Sequence, residues 1–299
     1  LKGARIAMLG ARPIAFNTVR YSEKLLQKHG ISVQTIDFSE IIFKAMHYND
    51  AEKVAAKIKE IREYGSVPAW ISDEVMEKQA KLCLVIDEAI EDLQCDASTV
   101  QCWDSVENNY GCATCLAMSM MGDNGKPSAC ESDVTGALSM LAAWLAAGTA
   151  PALMDWNNNI REERNACVSL HCSNFPKSFF QNDVEIECLD VLGSTLGKEN
   201  CFGACKGHVA AGDMTFIRLT TDDQRGTVKA YLGEGVFRDE VIPTKGGVAN
   251  CYIENLQNLL RYVCENGYEH HVCFVRGHVA DILEEALTKY MGIPVYRHR

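Results

Sequence analysis

Two carboxylates, Glu131 and Asp155, stand near the ends of the stretch SACESDVTGALSMLAAWLAAGTAPALMDWNNN, residues 128–159, which is otherwise mostly apolar. Residues 134–147 have the composition of a buried helix, rich in Ala, Leu and Met, and Gly148 supplies a stop. Residues 151–154, PALM, predict a short buried strand that ends at Asp155. A helix of that length climbs ~21 Å. A loop and a five-residue strand descend ~17 Å. The returning strand therefore brings Asp155 back to about the level of Glu131. Two carboxylates meeting beside apolar walls suit a hard divalent metal or a proton-transfer pair. The same spacing also fits two acids that never meet, one at a helix start and one at a strand end. Asp133, at the helix start, is expected to matter less than either.

The histidines are the next source of chemistry. His171 follows Asp155 at the end of an expected strand, in Leu170-His171-Cys172-Ser173. His270 and His271 are adjacent, so on an extended segment they point to opposite sides and one of them at most ligates easily. His208 and His278 read as surface or hydrogen-bonded residues. Fourteen cysteines are many for this length. Cys112-x-x-Cys115 and Cys201-x-x-x-Cys205 have spacings that a zinc site could use, but they are far apart and lack a zinc-ribbon context. They read as reduced, buried thiols that pack as small hydrophobes, with no disulfide expected.

The elements that must position these residues form two groups. Strand 5–9, helix 19–29 and strand 31–36 make a βαβ opening with a parallel-sheet signature. Gly10-Ala11-Arg12-Pro13 lacks the G-x-G-x-x-G pattern of a dinucleotide site, so Asp37 after the second strand does not carry that reading. Helices are predicted over 51–64 and 75–93 from their apolar spacing, and a strand over 99–103. Past residue 160, short alternating segments take over. Residues 216–220 and 227–232 predict a β-hairpin about the turn 222–226, with further strands near 165–171, 184–191 and 207–211. Helices near 253–265 and 278–290 close the chain.

Composition bounds the class. The 299 residues are 47% hydrophobic and 23% charged, as in an ordinary globular protein long enough for two domains. A net charge of −11 with no basic cluster argues against nucleic acid. Segment 137–154 is apolar, yet Ser139, Gly148, Thr149 and Pro151 interrupt it, so a buried helix–strand pair is expected rather than a membrane span. With no visible signal peptide and so many thiols, a reducing cytoplasm is the expected location.

The motif Ala129-Cys130-Glu131-Ser132-Asp133 with Gly136-Ala137-Leu138, followed by Leu153-Met154-Asp155-Trp156-Asn157-Asn158, resembles the hallmark of the L-fucose isomerase-like sugar isomerases, relatives of L-arabinose isomerase. Gly267-Tyr268-Glu269-His270-His271-Val272, then Arg276-Gly277-His278, resembles their C-terminal His-His element. The resemblance runs the length of the chain. It implies an α/β protein with a Rossmann-like parallel domain carrying Glu131, residues 1–149, and an antiparallel β-barrel-like C-terminal domain with helices carrying Asp155 and His271, residues 150–299. It implies that Glu131, Asp155 and His271 bind a divalent metal, usually manganese, with magnesium or cobalt as substitutes. His171 matches a fourth ligand of the arabinose branch; in the fucose branch three protein ligands suffice, and it would then be a structural histidine or one behind the ligands.

The activity so implied is metal-dependent aldose–ketose isomerisation of a small sugar through a metal-stabilised enediolate, with Glu131 and Asp155 sharing acid and base duties. Gln101, Trp103, Trp156, Asn158 and His270 are the expected sugar-binding residues. The family assembles as trimers or hexamers, in which a further N-terminal domain completes a neighbouring subunit's site. That domain has no counterpart here, so the chain reads as a fragment or as a member without it. A catalytically silent sugar-binding or assembly protein of the same fold is the alternative.

Overall fold

The structure is a computed structural model describing residues 1–299. Strands β1 (Arg5–Leu9), β2 (Ser32–Ile36), β3 (Ala97–Val100) and β4 (Ser128–Cys130) form a parallel sheet in the order β2-β1-β3-β4. Between and after them run α1 (Glu23–Lys28), α2 (Phe38–Met46), α3 (Ala51–Tyr64), α4 (Asp73–Asp92), α5 (Ser105–Asn109), α6 (Cys115–Asp123) and α7 (Val134–Ala147). Asp37, Asp50 and Ser72 accept backbone N–H bonds at the starts of α2, α3 and α4, which satisfies donors a helix start leaves free. The acid after the second strand is thus a helix cap.

The helix expected over 19–29 is shorter. A 3₁₀ turn, Asn17–Val19, gives way to extended backbone at Arg20 before α1 begins. There the Ser22 N–H donates to Thr221 Oγ1 at 2.9 Å, so the chain is pinned to the second half of the molecule.

Past residue 150 the strands are β5 (Ala152–Ile160), β6 (Glu163–His171), β7 (Val184–Cys188), β8 (Phe202–His208), β9 (Gly212–Asp222), β10 (Thr227–Arg238), β11 (Gly247–Tyr252), β12 (His271–Arg276) and β13 (Val295–Arg297), with the two-residue strand Gly65–Ser66 pairing onto β7. Six of them close an antiparallel barrel in the order β10-β9-β12-β5-β6-β11, with β11 pairing back onto β10 through Val236 and Tyr252. Closure leaves no open edge within the barrel. Strands β8 and β13 lie alongside it, and β7 extends β8. Three helices complete this half: α8 (Asp190–Leu196), α9 (Leu256–Glu265) and α10 (Ala280–Glu285), the last continued by one π turn, residues 286–290. The strand expected over 184–191 therefore stops at Cys188. That expected over 207–211 falls across the loop between β8 and β9. Gln101–Trp103 lies just past the end of β3.

Strand alternation splits the barrel residues between two cores. Met154, Phe216, Tyr231 and Phe274 belong to the larger one. Leu153, Ile217, Leu219, Cys273 and Val275 join Leu138 and Leu141 of α7 and Leu283 of α10 in the other. Helix α7 thus lies against β9 and β12 and ties the two sheets together. No helix is long and apolar enough to cross a membrane.

Candidate metal centre

Glu131 is placed by an unusual piece of backbone. It follows β4 directly, and both Glu131 and Ser132 take left-handed conformations, with φ of 64° and 55°. Two consecutive non-glycine residues there carry strain of order 1–3 kcal/mol each. The bend turns the chain from β4 into α7 and leaves Asp133 as the helix cap, accepting from Gly136 N–H at 2.8 Å. Asp155 and His271 are placed by register: they are directly paired across β5 and β12. Because α7 covers the face of β12 that carries Cys273 and Val275, and His271 shares their parity, the start of α7 delivers Glu131 onto His271.

The side chains converge. His271 Nε2 lies 3.0 Å from Glu131 Oε2 and 3.5 Å from Asp155 Oδ1. All three atoms are buried and none has a hydrogen-bond partner. Buried polar atoms are almost always satisfied, so three orphans facing one another need a ligand to explain them. Two donors about 2.1 Å from one ion at right angles lie about 3.0 Å apart, close to the spacing seen. Two carboxylates and one imidazole make a hard donor set that suits manganese or magnesium. The residues present therefore fit a divalent cation.

The other ring nitrogen of His271 is held by Asp133, whose Oδ2 lies 2.8 Å from Nδ1. That carboxylate also accepts 2.6 and 2.9 Å bonds from both terminal nitrogens of Arg218. Arg218 Nε donates to Glu269 at 3.1 Å, and Glu269 accepts from Thr220 at 2.6 Å. Asp133 and Arg218 are fully buried. Burial pushes the Asp133 carboxyl up, but Arg218 and His271 overcome it and hold it well below the usual carboxylate range. Burial would discharge His271, but the hydrogen bond to Asp133 and the nearby Glu131 carboxylate outweigh it and raise its pKa to about 10. The carboxylate fixes the ring so that Nε2 points at the centre, the arrangement that metal-binding histidines use.

Asp133, Arg218 and Glu269 thus form a buried network behind His271, a positioning role that sequence reasoning did not assign to them. The Asp133 signal was present, since an Asp three residues before Gly136 at the head of an apolar run is a cap pattern. No local signal marks Arg218, which reaches the site from β9.

The remaining expected residues fall in different places. His270 precedes β12, so strand alternation does not apply to it. The expectation that the two rings point apart is corrected: their centroids are 4.3 Å apart, and His270 Nε2 lies 3.7 Å from Asp155 Oδ1. His270 Nδ1 meets Thr18 Oγ1 at 3.1 Å, and burial, with His271 beside it, lowers its pKa. His171 is buried, its ring centroid 5.6 Å from that of His271, and it groups with Asp155 and His271 at metal-ligating distances. Its pKa stands at about 9, since Cys172, Glu131 and Asp155 overcome the effect of burial.

Trp103 reaches His270 through Phe16, at ring distances of 5.5 and 6.4 Å. Gln101 is committed to the Ala11 N–H at 3.0 Å, in a separate cleft of about 740 Å³ that includes Gly10 and Asp37. Trp156 sits across the strand from Asp155, packed edge-on to Phe216 and Phe274, and donates to Tyr231 at 2.9 Å. Asn158 is exposed beyond a bulge in β5. Cys112, Cys115, Cys201 and Cys205 do not gather into one site. All fourteen thiols are free.

Residues 169–299 match a family model described as L-fucose isomerase, C-terminal domain. Sulfoquinovose isomerase of Priestia megaterium is 27% identical over 290 residues, covering 95% of this chain and 62% of that protein. The enzyme of the same name from Alkalicoccus urumqiensis is 24% identical over 300 residues, 99% of this chain and 65% of that one. That of Clostridium sp. is 27% identical over 292 residues, with 95% and 62% covered. The chain thus spans less than two thirds of the length of these relatives.

Proposed function

We propose, from the match of residues 169–299 to the L-fucose isomerase C-terminal domain and the likeness to sulfoquinovose isomerases, that the chain is an L-fucose isomerase-like sugar isomerase and carries the catalytic centre of a metal-dependent aldose–ketose isomerase. One observation carries this reading: Glu131 Oε2, Asp155 Oδ1 and His271 Nε2 are buried, unpartnered and turned toward one point. In this reading residues 1–149 supply Glu131 and residues 150–299 supply Asp155 and His271, with His171 within reach as a fourth ligand. Manganese is the ion proposed, and a cytoplasmic homo-oligomer the working form.

When bound, the cation supplies Lewis acidity that polarises the sugar carbonyl and offsets the charge that develops when the C2 proton leaves. The protein's own groups do the rest. Asp133 holds the imidazole of His271 in one orientation, and Arg218 holds Asp133. Glu131 is 3% exposed, so water is kept from its side of the centre. Asp155 is 25% exposed in its side chain and faces the open side, with half-buried His270 beside it. The sugar enters there. Glu131 and Asp155 move the proton between C2 and C1 of the substrate, one as base and the other as acid. His270 and Thr18 border the entrance and supply hydrogen bonds to hydroxyl groups.

The test is turnover of a sugar panel that includes sulfoquinovose, the substrate in the relatives' name, by the complete natural protein with and without Mn²⁺ in D₂O. Manganese-dependent interconversion with deuterium entering at C1 or C2 is expected. A metal-loaded protein that binds a sugar but never isomerises it would overturn the reading.

A further inference from the structure

Three thiols near the centre have no part in the chemistry proposed above. Cys102 lies two residues past the end of β3, between Gln101 and Trp103. Cys130 ends the neighbouring β4 and is joined directly to Glu131. The two strands run parallel with Val100 paired to Cys130, so the chain leaves β3 beside the end of β4. The Sγ atoms of Cys102 and Cys130 are 2.8 Å apart, and both residues are fully buried. Cys172 Sγ falls within 4.8 Å of Cys130 Sγ and lies 3.4 Å from His171 Nδ1. Cys172 is half-buried, so of the three it is the one that solvent reaches.

We propose that Cys102 and Cys130 are a redox modification site: a hydroperoxide joins them in one disulfide, and the link weakens the neighbouring centre. A disulfide bond is about 2.0 Å long, so the two sulphurs need to close by only about 0.8 Å. Cys172 is the point of entry. Its sulphur attacks the O–O bond of hydrogen peroxide, which gives a sulfenic acid and one water. The Cys130 sulphur then displaces the hydroxyl group as a second water and forms a Cys130–Cys172 disulfide. Cys102 attacks Cys130 in turn and expels the Cys172 sulphur, which takes up the proton that Cys102 gives up. In sum, one O–O bond breaks and one S–S bond forms. Two thiols lose two electrons and two protons, and the peroxide leaves as two waters.

The link acts on the centre through the backbone. Cys130 shares a peptide with Glu131, and Glu131 and Ser132 already hold φ of 64° and 55°. Drawing Cys130 toward the segment after β3 moves the bend that aims Glu131. A working constellation tolerates displacements of about 0.5 Å, less than the gap the sulphurs must close. At the other end of the link, Trp103 reaches His270 through Phe16. This effect on the centre rests on the metal reading given above; the disulfide itself does not. By linkage, bound manganese disfavours the disulfide by the same factor by which the disulfide weakens manganese.

The test exposes the full chain to hydrogen peroxide, alkylates the remaining thiols in denaturant and maps the product by mass spectrometry. The expected product carries a cross-link between the peptides of Cys102 and Cys130 that a dithiol reductant reverses. Cys172→Ser should form it more slowly than wild type, and Cys264→Ser, an exposed control, at the wild-type rate. Manganese affinity of the cross-linked protein should lie about 10–100-fold below that of the reduced protein, the range for disturbing a group behind a ligand, and should recover on reduction. Cys102→Ser cannot form the link and should keep its manganese affinity through the same treatment. Should that variant fail to fold, the map and the titration of the wild type decide. Cys102 and Cys130 both alkylated after peroxide, or a cross-linked protein with unchanged manganese affinity, would overturn the proposal. A reduced protein that takes up no manganese would instead overturn the metal reading, and the mapped peptides would still decide the thiol pair.

Discussion

Replacing Asp133 with asparagine isolates the group that holds His271. Asparagine keeps the shape and can still cap α7, so the Gly136 N–H need not lose its acceptor. What goes is the charge that offsets Arg218, from which Asp133 accepts bonds of 2.6 and 2.9 Å with no exposure on either side chain. Removing one partner of a fully buried pair costs about 3–5 kcal/mol. Glu269 remains on Arg218 and moderates the loss. At about 2–4 °C per kcal/mol for a chain approaching this size, the melting temperature should fall by roughly 10 °C. The imidazole also loses its charged orienter, which costs about 10–100-fold in metal affinity, or about 1.4–2.8 kcal/mol. Calorimetric melting and Mn²⁺ titration of the metal-free variant measure the two effects separately. A melting temperature within about 2 °C and an affinity within about twofold of the wild type would refute the role given to Asp133.

In the complete protein, Glu131→Gln and Asp155→Asn should each lower isomerisation by more than the about 10²–10⁴-fold of a lost general base, because each also removes a metal ligand; activity within tenfold of wild type would exclude the residue concerned. Manganese uptake should release protons. Metal-free His271 keeps its proton up to about pH 10, so binding near neutral pH must expel it and apparent affinity should rise with pH. Calorimetry in buffers of differing ionisation enthalpy reads the proton count, and a count of zero would contradict the ligand role. Trp156→Phe should destabilise the barrel by about 1–3 kcal/mol, by leaving the Tyr231 hydroxyl buried and unpaired, while Mn²⁺ affinity stays unchanged; urea unfolding and metal titration check both halves.

Helix α7 was legible because its signals are local: an apolar run, a cap at Asp133 and a left-handed Gly148 at the end. The β9–β10 hairpin was legible for the same reason, from alternation on both sides of a turn closed by Gly226. Glu131 and Asp155 stood out as charges in apolar surroundings. Their meeting with His271 was not derivable from spacing, since it depends on a β5–β12 register between segments more than a hundred residues apart. Barrel closure through Val236 and Tyr252 is long-range in the same way. The orientation of His270 escaped the alternation rule because the residue lies one position outside the strand.

The central claim is that Glu131, Asp155 and His271 hold one divalent cation. An anomalous difference map from crystals of the protein grown with Mn²⁺ tests it most directly. The expected result is a single strong manganese peak at roughly 2.0–2.4 Å from a carboxylate oxygen of Glu131, a carboxylate oxygen of Asp155 and Nε2 of His271. A peak bound elsewhere, with these three side chains left facing one another and vacant, would contradict it.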